Sequence, residues 1–127
     1  MGDNINCNCN ATILVVDDNE FNLLPLTIML KSNHKISCVK ALNGAEAVKI
    51  FAKDRAKKCC EKRIQMIMMD LVMPILNGFD ATNQIIDILR QERAIAGIYD
   101  TSNDAKKPKE MAAEMGVAIA AITAYID

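Results

Sequence analysis

Two apolar runs stop on aspartate, and a third stops on threonine. ATILVV at 11–16 runs into Asp17-Asp18, IQMIMM at 64–69 into Asp70, and VAIAAI at 117–122 into Thr123. Continuous runs of this length predict strands buried on both faces rather than alternating surface strands. KISCVKA at 35–41 does alternate, and predicts a half-buried edge strand.

Helical spacing fills the gaps. Phe21, Leu24 and Ile28 recur at three and four residues and predict an inward stripe, with Pro25 tolerated if it falls in the first turn. Asn43-Gly44 marks the turn into a second helix with a Val48, Phe51, Ala52 stripe, and KDRAKKCCEKR reads as its solvated extension. Ala81, Ile85, Ile88 and Leu89 predict a third helix, and residues 94–116 a surface excursion. Alternating strands and helices of this kind predict an α/β, doubly wound parallel sheet with helices on both faces. Residues 1–10 are Asn-rich and expected to be a disordered lead, leaving 11–127 as one domain.

Composition removes several function classes. The chain has 127 residues, 51% hydrophobic and 24% charged, with a net charge of −1, so no basic footprint for nucleic acid is expected. No apolar stretch reaches the ~20 residues of a membrane span, and MGDNINCNCN lacks the pattern of a signal peptide. A cytoplasmic module without membrane contact is expected. The five cysteines form no CxxC pair and His34 is the lone histidine, so thiols in a reducing cytosol are expected rather than a zinc site.

In an open parallel sheet the working site lies at the carboxyl ends of the strands. If the first and third predicted strands are neighbours, Asp17, Asp18 and Asp70 converge there. Three packed carboxylates repel one another, and a hard divalent cation such as Mg²⁺ relieves them. One carboxylate can then attack phosphorus and form an acyl phosphate. Thr123 offers a hydroxyl to a phosphoryl oxygen, Ala124 a backbone N–H, and Val72 a carbonyl to the cation. Pro74 and Gly78 fit the turn after Asp70, the first by its fixed φ and the second by a permissive one. Any one of these acids alone would more often be a helix cap or loop residue. The set in this order carries the reading.

VVDDN at 15–19, MMDLVMPILNGFDA at 68–81 and AAITAY at 120–125 closely resemble the receiver (response-regulator) domain of two-component phosphorelays. The resemblance runs from about Ala11 to the end, with D-x-x-M-P-x-x-x-G (Asp70, Met73, Pro74, Gly78) as its most specific element. It implies a flavodoxin-like sheet in order 2-1-3-4-5. It also implies Asp70 as phosphoacceptor, Asp17 and Asp18 as the acidic pair for Mg²⁺, and Thr123 as a switch hydroxyl. The implied donor is a histidine kinase or a histidine phosphotransfer protein, and the module assists its own phosphorylation without being an enzyme. Asn19 and NGAEA at 43–47 resemble receivers of hybrid histidine kinases.

The family pattern continues through a helix, a fifth strand ending in Lys-Pro and a last helix. This sequence ends four residues after Thr123, without that lysine, and reads as a fragment of a longer chain. The alternative is a degenerate receiver acting as a non-phosphorylated interaction module. An aspartyl phosphatase fits less well, since its D-x-D pattern would need an acid at Val72.

Overall fold

The computed structural model describes residue 9 and residues 11–70, 76–95 and 112–122. Their elements run β1 (Ala11–Val16), α1 (Glu20–His34), β2 (Ser37–Ala41), α2 (Gly44–Ala56), β3 (Met66–Asp70), α3 (Gly78–Ile95) and β4 (Ala118–Ile122). The strands form one parallel sheet in the order β2-β1-β3-β4, the expected 2-1-3-4 arrangement. β1 pairs β3 from Ile13↔Met66 to Val16↔Met69, and β3 pairs β4 up to Asp70↔Ile122.

The period-two geometry of a strand sends alternate side chains to opposite faces. Leu14 and Val16 of β1, with Ile67 and Met69 of β3, meet Ala47 and Phe51 of α2 and Ala81, Ile85, Ile86 and Leu89 of α3. Ile13 and Val15, with Met66 and Met68, face α1 through Leu23, Leu26 and Leu30. Both faces of β1 and β3 are thus covered, which is why these strands read as unbroken apolar runs.

α1, α2 and α3 each start on an asparagine. Asn19 Oδ1 accepts the Phe21 N–H at 2.9 Å, Asn43 Oδ1 the Glu46 N–H at 2.8 Å, and Asn77 Oδ1 the Asp80 N–H at 2.8 Å. These bonds satisfy amide groups that a helix start leaves without intrahelical partners. Glu46 returns its carboxylate to the Leu42 N–H at 2.7 Å, tightening the entry to α2.

Four expectations change. The α1 stripe of Phe21, Leu24 and Ile28 faces outward, while Leu23 is buried. Leu23, Leu26 and Leu30 have the same helical spacing, so periodicity offered two apolar rows and the sheet selected one. Pro25 is the sixth helical residue rather than part of the first turn, and removes one main-chain donor there. The charged stretch KDRAKKCCEKR extends the helix only through Ala56: Lys57 is extended (φ −67°, ψ 150°) and the rest leaves α2.

The reason lies in Asp54, a buried carboxylate inside that charged stretch. Its Oδ2 accepts the Ile64 N–H and its Oδ1 the Lys57 ammonium, both at 2.8 Å, turning the chain back toward β3. The 94–116 excursion is also narrower than expected. Ala94 and Ile95 complete α3, and Ala112 is fully buried in the core beside Val117. Most of that stretch, and the 1–10 lead apart from Cys9, lie outside the described residues.

Candidate functional site

The β1–β3 register ends at Val16↔Met69, and continuing it by one residue sets Asp17 beside Asp70. The carboxylates of Asp17, Asp18 and Asp70 converge, with ligand oxygens all within 4.8 Å of one another. Asp17 is buried, Asp70 half-buried and Asp18 exposed, so the cluster opens to solvent on one side. That spacing lets one hard cation reach all three, and oxygen donors of this kind suit Mg²⁺.

Asp17 is held from both sides. Its Oδ1 accepts the Asn19 N–H at 2.9 Å and its Oδ2 accepts the Asn22 amide at 3.3 Å. Its own N–H donates to the Ala41 carbonyl at 3.1 Å, tying the end of β1 to the end of β2. Asn22 was not singled out from the sequence. Its signal is its place one turn into α1, where a helix side chain reaches back over the preceding turn.

Leu76, at the approach to α3, is tied to the start of α2. The Gly44 N–H donates to the Leu76 carbonyl at 3.2 Å. A Cβ on Gly44 would stand 2.2 Å from that same oxygen, so a side chain there displaces main chain. Gly78 differs from its expected role: it is buried and helical as the first residue of α3, without the positive φ seen at Gly116. Val72, Pro74, Thr123 and Ala124 lie outside the described residues. The structure therefore brings together the three acidic candidates and leaves the remaining donors unplaced.

Residues 13–120 match the Response regulator receiver domain. Protein PilH of Pseudomonas aeruginosa is 35% identical over 100 residues, covering 78% of this chain and 74% of that protein. Among solved structures, the receiver domain of the Arabidopsis thaliana histidine kinase CKI1, complexed with Mg²⁺ and BeF₃⁻, aligns with a TM-score of 0.63 at 20% identity. That alignment covers 91% of this chain and 66% of that one. The receiver domain of Saccharomyces cerevisiae Ssk1, co-crystallised with the histidine phosphotransfer protein Ypd1, aligns with a TM-score of 0.55 at 25% identity, over 93% and 81% of the two chains.

A parallel 2-1-3-4 sheet with an acidic cluster at its carboxyl end, together with a family match over most of its length, defines the class. The chain belongs to the response regulator receiver domain family and is a receiver module of two-component phosphorelay signalling. None of the helices in the described residues is long and apolar enough to cross a membrane.

Proposed function

We propose that this receiver takes a phosphoryl group from a phosphohistidine donor onto Asp70, in a pocket completed by Asp17, Asp18 and Mg²⁺. The convergence of the three carboxylates at the ends of neighbouring strands carries the reading. An Asp70 oxygen attacks phosphorus as the phosphorus–nitrogen bond breaks. The electron pair goes to the departing imidazole nitrogen, which takes its proton from solvent, and an acyl phosphate remains. Asp17, Asp18 and the Val72 carbonyl would hold the cation, with Thr123 and the Ala124 N–H on the phosphoryl oxygens. The bound cation supplies charge neutralisation at those oxygens. The two hydrogen bonds on Asp17 fix its orientation before any ligand arrives, which favours binding by preorganisation.

The donor is a histidine kinase or a histidine phosphotransfer protein, and α1 is its docking face. Phe21 is 84% exposed, and Leu24, Ile28 and Met29 are exposed with it. This apolar row begins three residues after Asp18, so a partner seated on it brings its phosphohistidine to the pocket. Four of the seven exposed large apolar side chains among the described residues lie on this helix, and a contiguous row of that kind beside a site marks an interaction surface.

A small phosphodonor with Mg²⁺ should label the protein with a base-labile phosphoryl group, and Asp70→Asn should abolish it. Equal labelling of that variant would sink the assignment. Phe21→Ser should slow transfer from a phosphotransfer protein while leaving labelling by the small donor intact, separating docking from chemistry. The interaction-module alternative gains if neither donor labels Asp70 while a partner still binds.

A further inference from the structure

At the opposite end of the sheet the structure brings together residues that the sequence keeps fifty positions apart. The Cys9 and Cys59 sulfurs stand 3.4 Å apart and those of Cys59 and Cys60 3.9 Å. All three sulfurs lie within 4.8 Å of one another, and each residue is half-buried. Spacing rules count neighbours along the chain, whereas this set of three is assembled by the fold.

We propose that Cys9, Cys59 and Cys60 form a three-thiolate site for a thiophilic cation of the Zn²⁺ class. A zinc–sulfur bond is about 2.3 Å, so sulfurs sharing one tetrahedral ion stand about 3.8 Å apart. The two measured separations bracket that edge. A disulfide would require the Cys9 and Cys59 sulfurs to close to about 2.05 Å. Three protein ligands leave one position of the tetrahedron for water or another donor.

The loop carrying Cys59 and Cys60 is braced from beneath. The Arg63 guanidinium donates to the carbonyls of Lys57 (3.0 Å), Cys60 (2.9 Å) and Lys62 (3.0 Å). Asp54 fixes both ends of the same loop through Lys57 and Ile64. Such contacts behind the ligands orient them, as second-layer partners do in metal sites. Three thiolates on a divalent ion leave a net negative charge; with Lys57 paired to Asp54, the same loop still carries Lys58, Lys62 and Arg63 against Glu61 to offset it. Cys38 is different: it sits in β2 against the α1 face, and burial pushes its thiol up from its ordinary value.

The site would clamp Cys9, two residues before β1, to the loop that joins α2 to β3. The two chain segments already share the Gln65 N–H to Thr12 carbonyl bond at 2.8 Å. The clamp lies at the amino ends of the strands, separated from the acidic pocket by the length of β1. A metal there acts on stability and leaves the phosphoryl chemistry alone.

The test uses the full chain, reduced and stripped of metal, titrated with Co²⁺. One equivalent should give thiolate-to-metal charge-transfer absorption and the visible bands of tetrahedral cobalt. Zn²⁺ should displace it and Mg²⁺ should not. Zn²⁺ should also raise the melting temperature and protect Cys9, Cys59 and Cys60 from alkylation, without changing the reactivity of Cys38. Cys59→Ser and Cys60→Ser should each weaken binding by at least ~tenfold, since each removes a ligand. Cys38→Ser and Asp70→Asn should leave the titration unchanged. Absence of the charge-transfer band, undiminished affinity in both ligand variants, or loss of binding in Asp70→Asn would overturn the site. So would a Cys9–Cys59 disulfide that persists in reductant.

Discussion

The two faces of the sheet are built to different standards. Toward α2 and α3, strand residues and helices interlock in a continuous cluster that includes Phe51, Ile85, Ile86 and Leu89, all essentially excluded from solvent. Toward α1 the fully enclosed residues are few, Val15 and Leu23 chief among them, and the helix turns Phe21, Leu24, Ile28 and Met29 to water. The first face holds the fold. The second leaves apolar surface in water, the surface proposed above as a docking face.

Phenylalanine at two positions gives the sharpest way to break this comparison. Phe51→Ala should destabilise the domain by about 3–5 kcal/mol, because a fully buried ring is removed from a packed layer. Equilibrium denaturation would read the loss. An effect below ~1 kcal/mol would mean that the α2–α3 face collapses around the cavity and is not the rigid one.

Asp54→Ala comes next. It strips the partner from the buried Ile64 N–H and from Lys57, and should cost about 2–3 kcal/mol. Lys57 itself predicts a pH dependence. Burial pulls its ammonium down, but the Asp54 hydrogen bond and charge outweigh this, with smaller pulls from Cys9 and Cys60, and the group is held above its ordinary 10.5. A pKa raised on folding means that the folded state keeps the proton more tightly than the unfolded chain. The stabilisation is therefore complete below the unfolded value and fades as pH climbs through the folded one. Lys57→Met should flatten the stability profile above pH 10.5 and leave its shape near neutrality unchanged.

Glu92→Gln addresses the join between α2 and α3. Arg55 donates to Glu92 through Nε and Nη2, both at 2.7 Å, with its own side chain only 14% exposed. Loss of this paired, partly buried bridge should cost about 1–2 kcal/mol in denaturation. The smallest effect belongs to the second phenylalanine. Phe21→Ala should leave stability within about 0.5 kcal/mol of the parent, since the ring is almost wholly in water. A larger loss would mean that this ring has a structural contact on α1.

What was readable in advance follows the same divide. β1 and β3 announced themselves because burial on both faces demands unbroken apolar runs, and the acids at their ends marked the pocket that Asp17, Asp18 and Asp70 form. α1 was legible as a helix but not in its orientation, because Leu23–Leu26–Leu30 and Phe21–Leu24–Ile28 obey one spacing. Asp54 was hidden in a charged stretch; its partner Ile64 lies ten residues on, and no local pattern reveals that a carboxylate will be needed by a buried amide two residues before β3. The cysteine cluster was illegible for the same reason over a longer span. Contacts between distant positions are set by how elements stack, and stacking is invisible to periodicity.

The hydrogen bond from Gly44 to Leu76 makes one amide into a clock for that contact. A helix's opening amides have no partner within the helix, and this one borrows the Leu76 carbonyl from the chain leading into α3. Whenever that chain shifts, the amide is left to water and trades its proton for deuterium at a faster rate. No side chain can be added at position 44 to shield it, because the carbonyl occupies the space a Cβ would need. Deuterium uptake at this single backbone position therefore reads how often the contact between Gly44 and Leu76 breaks, and under the proposed function a cation held by the acidic cluster should slow it.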